Sequence, residues 1–280
     1  MYNTKMPASH TSTVIWHEWT SSTGKKTGVL EIITSVKRIW SVPSLWGCPV
    51  GCTFCVSSSQ AYGGTISAED LQDLLVHVRS QSLGVLPVEL SFTGEGEAVL
   101  NVDNILKLVE YVRTWPEIDS ARVCVSGLKM ERAALLSTLP WPTRLQCSLH
   151  SAVPETRRRL IPHSPELAQL RQHLLELTSM FSSIDLNVVL QPGVNDCNAH
   201  LEALLRFARS TPWRVVFNPH MQEGVALGHP HREAWMKALR ADGIAAAAYQ
   251  SIGARIVDSG IYKKLTFVDA KNQLSLADAA

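Results

Sequence analysis

From about residue 65 onwards, short runs of apolar residues alternate with longer stretches in which apolar residues return every three or four positions. The short runs are Val88–Phe92, Ala121–Ser126, Arg144–His150, Ile184–Leu190 and Trp213–Asn218, which read as strands. The longer stretches, about 102–115, 129–138, 165–181, 197–210 and 230–242, read as helices. Ser67 followed by Glu69 and Asp70 marks a further helix start, with a capping hydroxyl and acids in the first turn. Upstream, Val29–Thr34 and Lys37–Trp46 carry strand patterns, and residues 1–27 read as a polar, loosely ordered lead-in anchored by Trp16 and Trp19. Strands alternating with helices predict βαβ units and a parallel sheet. The resulting expectation is an α/β fold: a partial TIM-like barrel of six units over residues 36–250. An N-terminal strand extension (1–35) and a C-terminal segment (251–280) flank it.

In such barrels function gathers at the C-terminal ends of the strands. Here those ends carry Gly- or polar-rich motifs: Gly94-Glu95-Gly96-Glu97, Ser126, Ser148-Leu149-His150, Pro192–Asp196 and Asn218-Pro219-His220. The first barrel strand ends at Gly47-Cys48-Pro49-Val50-Gly51-Cys52-Thr53-Phe54-Cys55. Soft thiolates at such short spacing select zinc, copper(I) or an iron–sulfur cluster. A structural zinc site needs a fourth ligand, and neither Cys nor His follows until His77. Three thiolates suit a [4Fe–4S] cluster with one iron left open. A disulfide pair with a spare cysteine is the plain alternative.

Composition narrows the setting. The chain is 45% hydrophobic and 18% charged, as in globular proteins, and has no run long enough to span a membrane. The N-terminus MYNTKMPASH lacks an apolar signal core, and six cysteines without a disulfide pattern fit a reducing compartment, so a cytoplasmic location is expected. A net charge of +1 is not the strongly basic balance of a protein that grips a long nucleic acid. The only dense basic run, Arg157-Arg158-Arg159, reads by default as a solvated helix face.

The CxxxCxxC spacing resembles the signature of radical S-adenosylmethionine (SAM) enzymes. The ordered set of strand-end motifs is similar to one group of them, the RNA adenine C2/C8 methyltransferases of the RlmN/Cfr type. Phe92–Asn101 resembles that family's GMGEPLLN, Val125–Gly127 its VST, Ser148–His150 its SLH, Leu160–Pro162 its L-V-P, Gly193–Asp196 its GVND and Asn218-Pro219 its N-P. The resemblance implies that Cys48, Cys52 and Cys55 hold a [4Fe–4S] cluster whose open iron chelates SAM. It also implies that Gly96 and Glu97 meet the methionyl end of SAM, Ser126 the ribose, and Ser148, His150 and Asn218 the remainder. An external electron donor such as flavodoxin or ferredoxin would complete the system.

Two departures bear on the reaction. Family methylation uses two further cysteines, and the matching positions here are Ser41 and, in a C-terminal stretch one residue shorter, Ser259. A serine hydroxyl cannot act as a soft methyl acceptor or resolving nucleophile. The family also carries an N-terminal RNA-binding domain, whereas the 47 residues before Cys48 read as strands and coil. These points favour hydrogen abstraction from a small molecule, an adenine nucleoside or nucleotide, giving epimerisation or rearrangement. RNA adenine methylation and a non-catalytic iron–sulfur role are the alternatives. Epimerisation needs a hydrogen-atom donor opposite the radical. Cys197 at the rim is the candidate, with Tyr249 and Tyr262 next, while Cys124 should lie beneath SAM and Cys147 should face the helix layer.

Overall fold

The computed structural model describes residues 13–222, 225–227, 229–248, 254–256 and 265–267. A hairpin opens it. Strand β1 (Thr13–Thr20) pairs antiparallel with β2 (Lys26–Ile33), and β2 pairs antiparallel with β3 (Arg38–Ser41). Residues 13–20 are therefore a strand rather than a loose lead-in. What holds them is a buried polar contact: His17 Nε2 meets the Glu31 carboxylate at 2.8 Å, and Trp40 Nε1 donates to the same carboxylate at 3.1 Å.

The strand expected over 37–46 is broken at Pro43, which cannot donate to a ladder. Beyond it, β4 (Leu45–Trp46) and β5 (Gly64–Thr65) pair antiparallel and close the base of the cysteine loop. Helix α1 (Ala68–Gln81) starts as expected, with Ser67 Oγ accepting from Asp70 N at 3.0 Å. The chain then alternates through β6 (Val88–Phe92), α2 (Val102–Val112), β7 (Ile118–Val125), α3 (Met130–Ala133), β8 (Thr143–Ser148), α4 (Pro154–Leu160), α5 (Leu167–Leu177), β9 (Ser183–Val189), α6 (Asn198–Ala208) and β10 (Arg214–Asn218). A small hairpin of β11 (His220–Gln222) and β12 (Val225–Leu227), helix α7 (Arg232–Ala241) and β13 (Ala245–Ala248) follow.

The nine-stranded sheet has the order β1-β2-β3-β6-β7-β8-β9-β10-β13, parallel from β3 onwards. The six expected barrel strands stand in chain order, and the hairpin extends the same sheet at the β3 edge. Strand β13, four alanines, is an addition to the sequence reading, and α4 contains the helix face expected at Arg157–Arg159. The alanines lack the β-branched or aromatic character that marks a strand.

Side chains alternate across each strand, and the two faces differ in chemistry. Leu90, Val123, Leu145, Leu186 and Val215 are fully buried in one apolar core with Leu71, Leu74, Ile105, Leu108 and Leu174 of the helices. The opposite face is polar. Towards the N-terminal ends it carries an ionic plug, in which Glu89 meets Arg122 at 2.7 Å, Lys37 at 2.6 Å and Arg144 at 3.6 Å. Arg214 there donates twice to Asp185, at 2.9 and 2.8 Å. Towards the C-terminal ends lie Cys124, Ser126, Gln146, Ser148 and Asn187, with Cys124 Sγ 3.6 Å from Ser148 Oγ. The apolar helix face thus fixes the register, and the polar face is left for function.

Burial raises the Glu89 pKa, but Arg122, Lys37 and Arg144 outweigh it and hold the carboxyl below its ordinary value. Its stabilising contribution is therefore present above the unfolded carboxyl pKa and is lost as pH falls through the folded one. Removing the acid leaves buried cations facing each other. Glu89→Ala should cost about 3–5 kcal/mol in urea unfolding at neutral pH, the scale for breaking a buried pair. The difference from wild type should shrink on acidification.

Candidate active site at the strand ends

The three motif cysteines sit on the loop between β4 and β5, all as free thiols. Gly47 and Gly51 take left-handed backbone angles, φ 72° and 74°, which turn the loop back on itself. Cys48 is buried, and Cys52 and Cys55 are half-buried. Cys48 and Val50 pack on Leu160 and Ile161, with Phe54, Leu128 and Val194 around them. Thr53 N donates to Leu160 O at 3.0 Å and ties the loop to the end of α4. Burial, with the neighbouring thiols and Glu97 adding to it, pushes Cys52 up to about 12, and burial likewise raises Cys48 to about 12. Cys48 and Cys52 therefore call for a metal to become ligands, because coordination deprotonates a thiol outright.

Among the described residues, no three Cys, His, Asp or Glu side chains converge on a point where one metal ion could sit. A cubane cluster makes a different demand, since each thiolate binds its own iron. Three soft donors on one loop fit such a cluster better than a lone ion.

Two acids follow β6. Glu97 is buried, and both of its oxygens accept from Ser126 N, at 3.1 and 3.0 Å, so the end of β6 is bound to the end of β7. Between the acids, Gly96 has φ 112°, and a Cβ there would lie 2.6 Å from Ser44 Oγ and 2.7 Å from Leu45 N. Only glycine lets the two backbones approach so closely. Glu95 Oε1 accepts from Gly47 N at 3.0 Å, which the sequence did not single out. Burial pushes both carboxyls up to about 7 against an ordinary 4.5.

Arg157 overturns the reading of the basic run as a solvated face. Arg158 and Arg159 are on the surface, but Arg157 is 1% exposed. Its guanidinium donates to Ser148 O at 2.7 Å, to Leu149 O, and to Ser126 O at 2.7 Å. It thus binds the carbonyls beside two of the expected SAM-contact serines. His150 holds φ 55°, rare outside glycine, and its Nδ1 accepts from Val189 N at 3.2 Å. Its ring meets Phe54 of the cysteine loop edge-on, 4.6 Å between centroids. Burial, helped by Arg157, holds His150 down to about 3, so the imidazole is neutral. Asn195 Nδ2 donates to His150 O and Val189 O at 2.7 and 2.8 Å, a fastening role for the GVND stretch.

The structure therefore gathers Cys48, Cys52, Cys55, Glu97, Ser126, Ser148 and His150 around one strand-end region. Asn218 closes β10, two strands beyond Ser148, and lines a recess with Leu190 and His229. Cys197 stands apart on the exposed rim at the start of α6, its Sγ 3.1 Å from His200 Nδ1, while His200 Nε2 meets Thr156 Oγ1 at 3.1 Å. Asp196 accepts from Gly193 N at 3.0 Å and meets His229 at 3.2 Å. Cys124 lies on the polar face and Cys147 in the apolar core, as side-chain alternation predicts. Ser41 Oγ lies 3.0 Å from Thr93 Oγ1 at the end of β3. Ser259, Tyr249 and Tyr262 lie outside the described residues.

Known proteins resemble this chain in sequence and in fold. No family model matches the chain. A probable dual-specificity RNA methyltransferase RlmN from Flavobacterium psychrophilum is 27% identical over 239 residues, 79% of this chain and 68% of that protein. One from Chlorobium phaeobacteroides is 30% identical over 191 residues, 64% of this chain and 53% of that protein. The chain thus spans between about half and two thirds of these relatives. Among solved structures, a radical SAM methyltransferase from Sphaerobacter thermophilus superposes with a TM-score of 0.74 at 21% identity, covering 86% of this chain and 73% of that one. SuiB from Streptococcus suis, solved bound to S-adenosylmethionine, superposes at 0.54 and 14% identity, covering 75% and 51%.

The fold is that of the radical SAM enzymes, whose members use a [4Fe–4S] cluster and SAM. Within that superfamily the chain is similar in sequence to the RlmN type.

The site makes two checks possible. Anaerobic reconstitution should load about four irons per chain, and Cys48→Ala, Cys52→Ala or Cys55→Ala should each abolish loading, read by iron and sulfide content. Retention of the cluster in the triple variant would refute the ligand set. The second check uses pH. Glu97, raised in the fold, contributes stability below its unfolded pKa and loses it as pH rises through about 7. His150, lowered in the fold, behaves oppositely and costs stability as pH falls below about 6.5. In the metal-free protein, Glu97→Gln should remove the fall in melting temperature between pH 4.5 and about 7 and leave the profile below pH 4.5 unchanged.

Proposed function

We propose that this radical SAM enzyme abstracts hydrogen from a small adenine nucleoside or nucleotide and epimerises or rearranges it, instead of methylating RNA. The observation that carries the proposal is Ser41. At the position where the resembling family has a cysteine, the structure has a hydroxyl hydrogen-bonded to Thr93, which titrates far too high to serve as a nucleophile in methyl transfer. When bound, the cluster and SAM supply one-electron chemistry that yields methionine and a 5′-deoxyadenosyl radical. The residues of this chain hold and orient. Glu97, fixed by Ser126 N, presents a strong acceptor to the methionyl end. Ser126 and Ser148, their backbones clamped by Arg157, offer hydroxyls to sugar oxygens. His150, neutral and packed on Phe54, helps exclude water from the cysteine loop.

Cys197 is the proposed quencher. A substrate carbon radical takes the hydrogen atom of its thiol, forming a C–H bond and a thiyl radical. One electron from an external donor of the flavodoxin or ferredoxin class and one proton from solvent then restore the thiol. His200 Nδ1, 3.1 Å away, can accept the S–H hydrogen bond and hold the thiol in place.

The RNA methylation named for the relatives is the second reading, supported by the sequence similarity. A single experiment separates the two. The protein is incubated anaerobically with SAM, a reductant and either a nucleotide panel or ribosomal RNA, in deuterated water. The expected result is 5′-deoxyadenosine without S-adenosylhomocysteine, a nucleotide product carrying solvent deuterium, and RNA affinity that vanishes at physiological salt. Cys197→Ala should release 5′-deoxyadenosine but give little epimer. A methylated RNA adenine would establish the second reading, and normal epimer from Cys197→Ala would remove that residue from the reaction.

A further inference from the structure

Glu95 stands where the resembling GMGEPLLN motif has methionine, so the resemblance assigns it no task. It is an acid, 2% exposed. Its backbone oxygen accepts from Ser44 N and Leu45 N, at 2.7 and 3.2 Å, and Oε1 accepts from Gly47 N. These bonds prevent the side chain from swinging to solvent. Oε2 is buried and has no hydrogen-bond partner among the described residues. A buried carboxylate oxygen without a donor is expensive, and native proteins tolerate one where a ligand or proton completes it.

Charge points to the kind of ligand. Glu95 and Glu97 are two buried carboxyls, both within electrostatic reach of Cys48. The buried cation at these strand ends, Arg157, has both terminal nitrogens committed to backbone carbonyls. Its charge is felt by Glu97, and no cation among the described residues bears on Glu95. Of the two positive groups of SAM, only the amino end carries N–H donors, because the sulfonium has none.

We propose that Glu95 Oε2 receives an N–H from the amino group of SAM, making Glu95 a second acidic recognition residue beside Glu97. The proposal rests on the SAM-binding reading of this site and names a residue that the family motif lacks.

The test is equilibrium binding to the anaerobically reconstituted full chain, with iron content measured in parallel and no turnover required. The probes are SAM and its α-keto analogue, which keeps the sulfonium but has no amino group. In Glu95→Gln an N–H would face the amino group, and SAM should bind about 10- to 100-fold more weakly, the scale for a hydrogen bond to a charged group. Glu95→Met, the motif residue, should weaken SAM similarly. Iron loading should stay at the wild-type level, and the α-keto analogue should bind all three proteins alike. SAM affinity within about threefold of wild type in Glu95→Gln, well short of a charged hydrogen bond, would overturn the proposal and leave Glu95 as a protonated acid. Equal weakening for the α-keto analogue, or loss of iron in both variants, would also overturn it, because Glu95 would then serve only to anchor the loop. Wild-type protein that loads iron but binds no SAM would instead refute the site reading itself, and this proposal with it.

Discussion

The strand-end region depends most on the buried guanidinium of Arg157. A planar group with five donors can satisfy several backbone carbonyls at once, which a lysine ammonium on a flexible stem cannot do in the same geometry. Here it holds Ser126 O on β7 and Ser148 O and Leu149 O on β8, two neighbouring strands whose ends would otherwise splay. Gly127 makes room for it, since a Cβ there would lie 3.2 Å from Arg157 Nη2. The same helix, three residues on, receives the cysteine loop through Leu160 O. One side chain thus links two strands, a helix and the thiol loop.

The polar face of the sheet gives this arrangement its setting. A TIM-type barrel usually fills its interior with branched apolar side chains. Here the corresponding positions carry Glu89, Arg122, Asp185 and Arg214 at one end and serines, Gln146 and Asn187 at the other. The ions pin strand register without taking up the space that a ligand needs. Gln146 Nε2 donates to Asn187 Oδ1 at 2.7 Å, and Asn187 O accepts from Leu149 N and His150 N. A chain of paired polar groups therefore runs from Gln146 through Asn187 to the end of β8.

Much of this was legible in the sequence because it depends on period and spacing. The six parallel strands, the Ser67 cap, the cysteine loop and the face assignments of Cys124 and Cys147 follow from local patterns. The remainder depends on contacts distant in sequence. Three consecutive arginines say nothing about which one is buried, because helical phase relative to the sheet decides that. Strand β1 lacks a clear apolar stripe, since its fixed point is a His17–Glu31 contact. Glu95 looked like one letter of an acidic, Gly-rich turn until the cysteine loop folded over it.

The two-faced sheet also bears on how the protein responds to temperature. Heat-capacity change on unfolding grows with exposed apolar area and is reduced by exposed polar area. In a chain of this length a conventional barrel interior would add a second large apolar reservoir, and here that reservoir is replaced by ions and amides. Stability should therefore vary with temperature along a flatter curve than chain length alone implies. A ligand bound at the strand ends would add stability that grows with the logarithm of its concentration over its Kd.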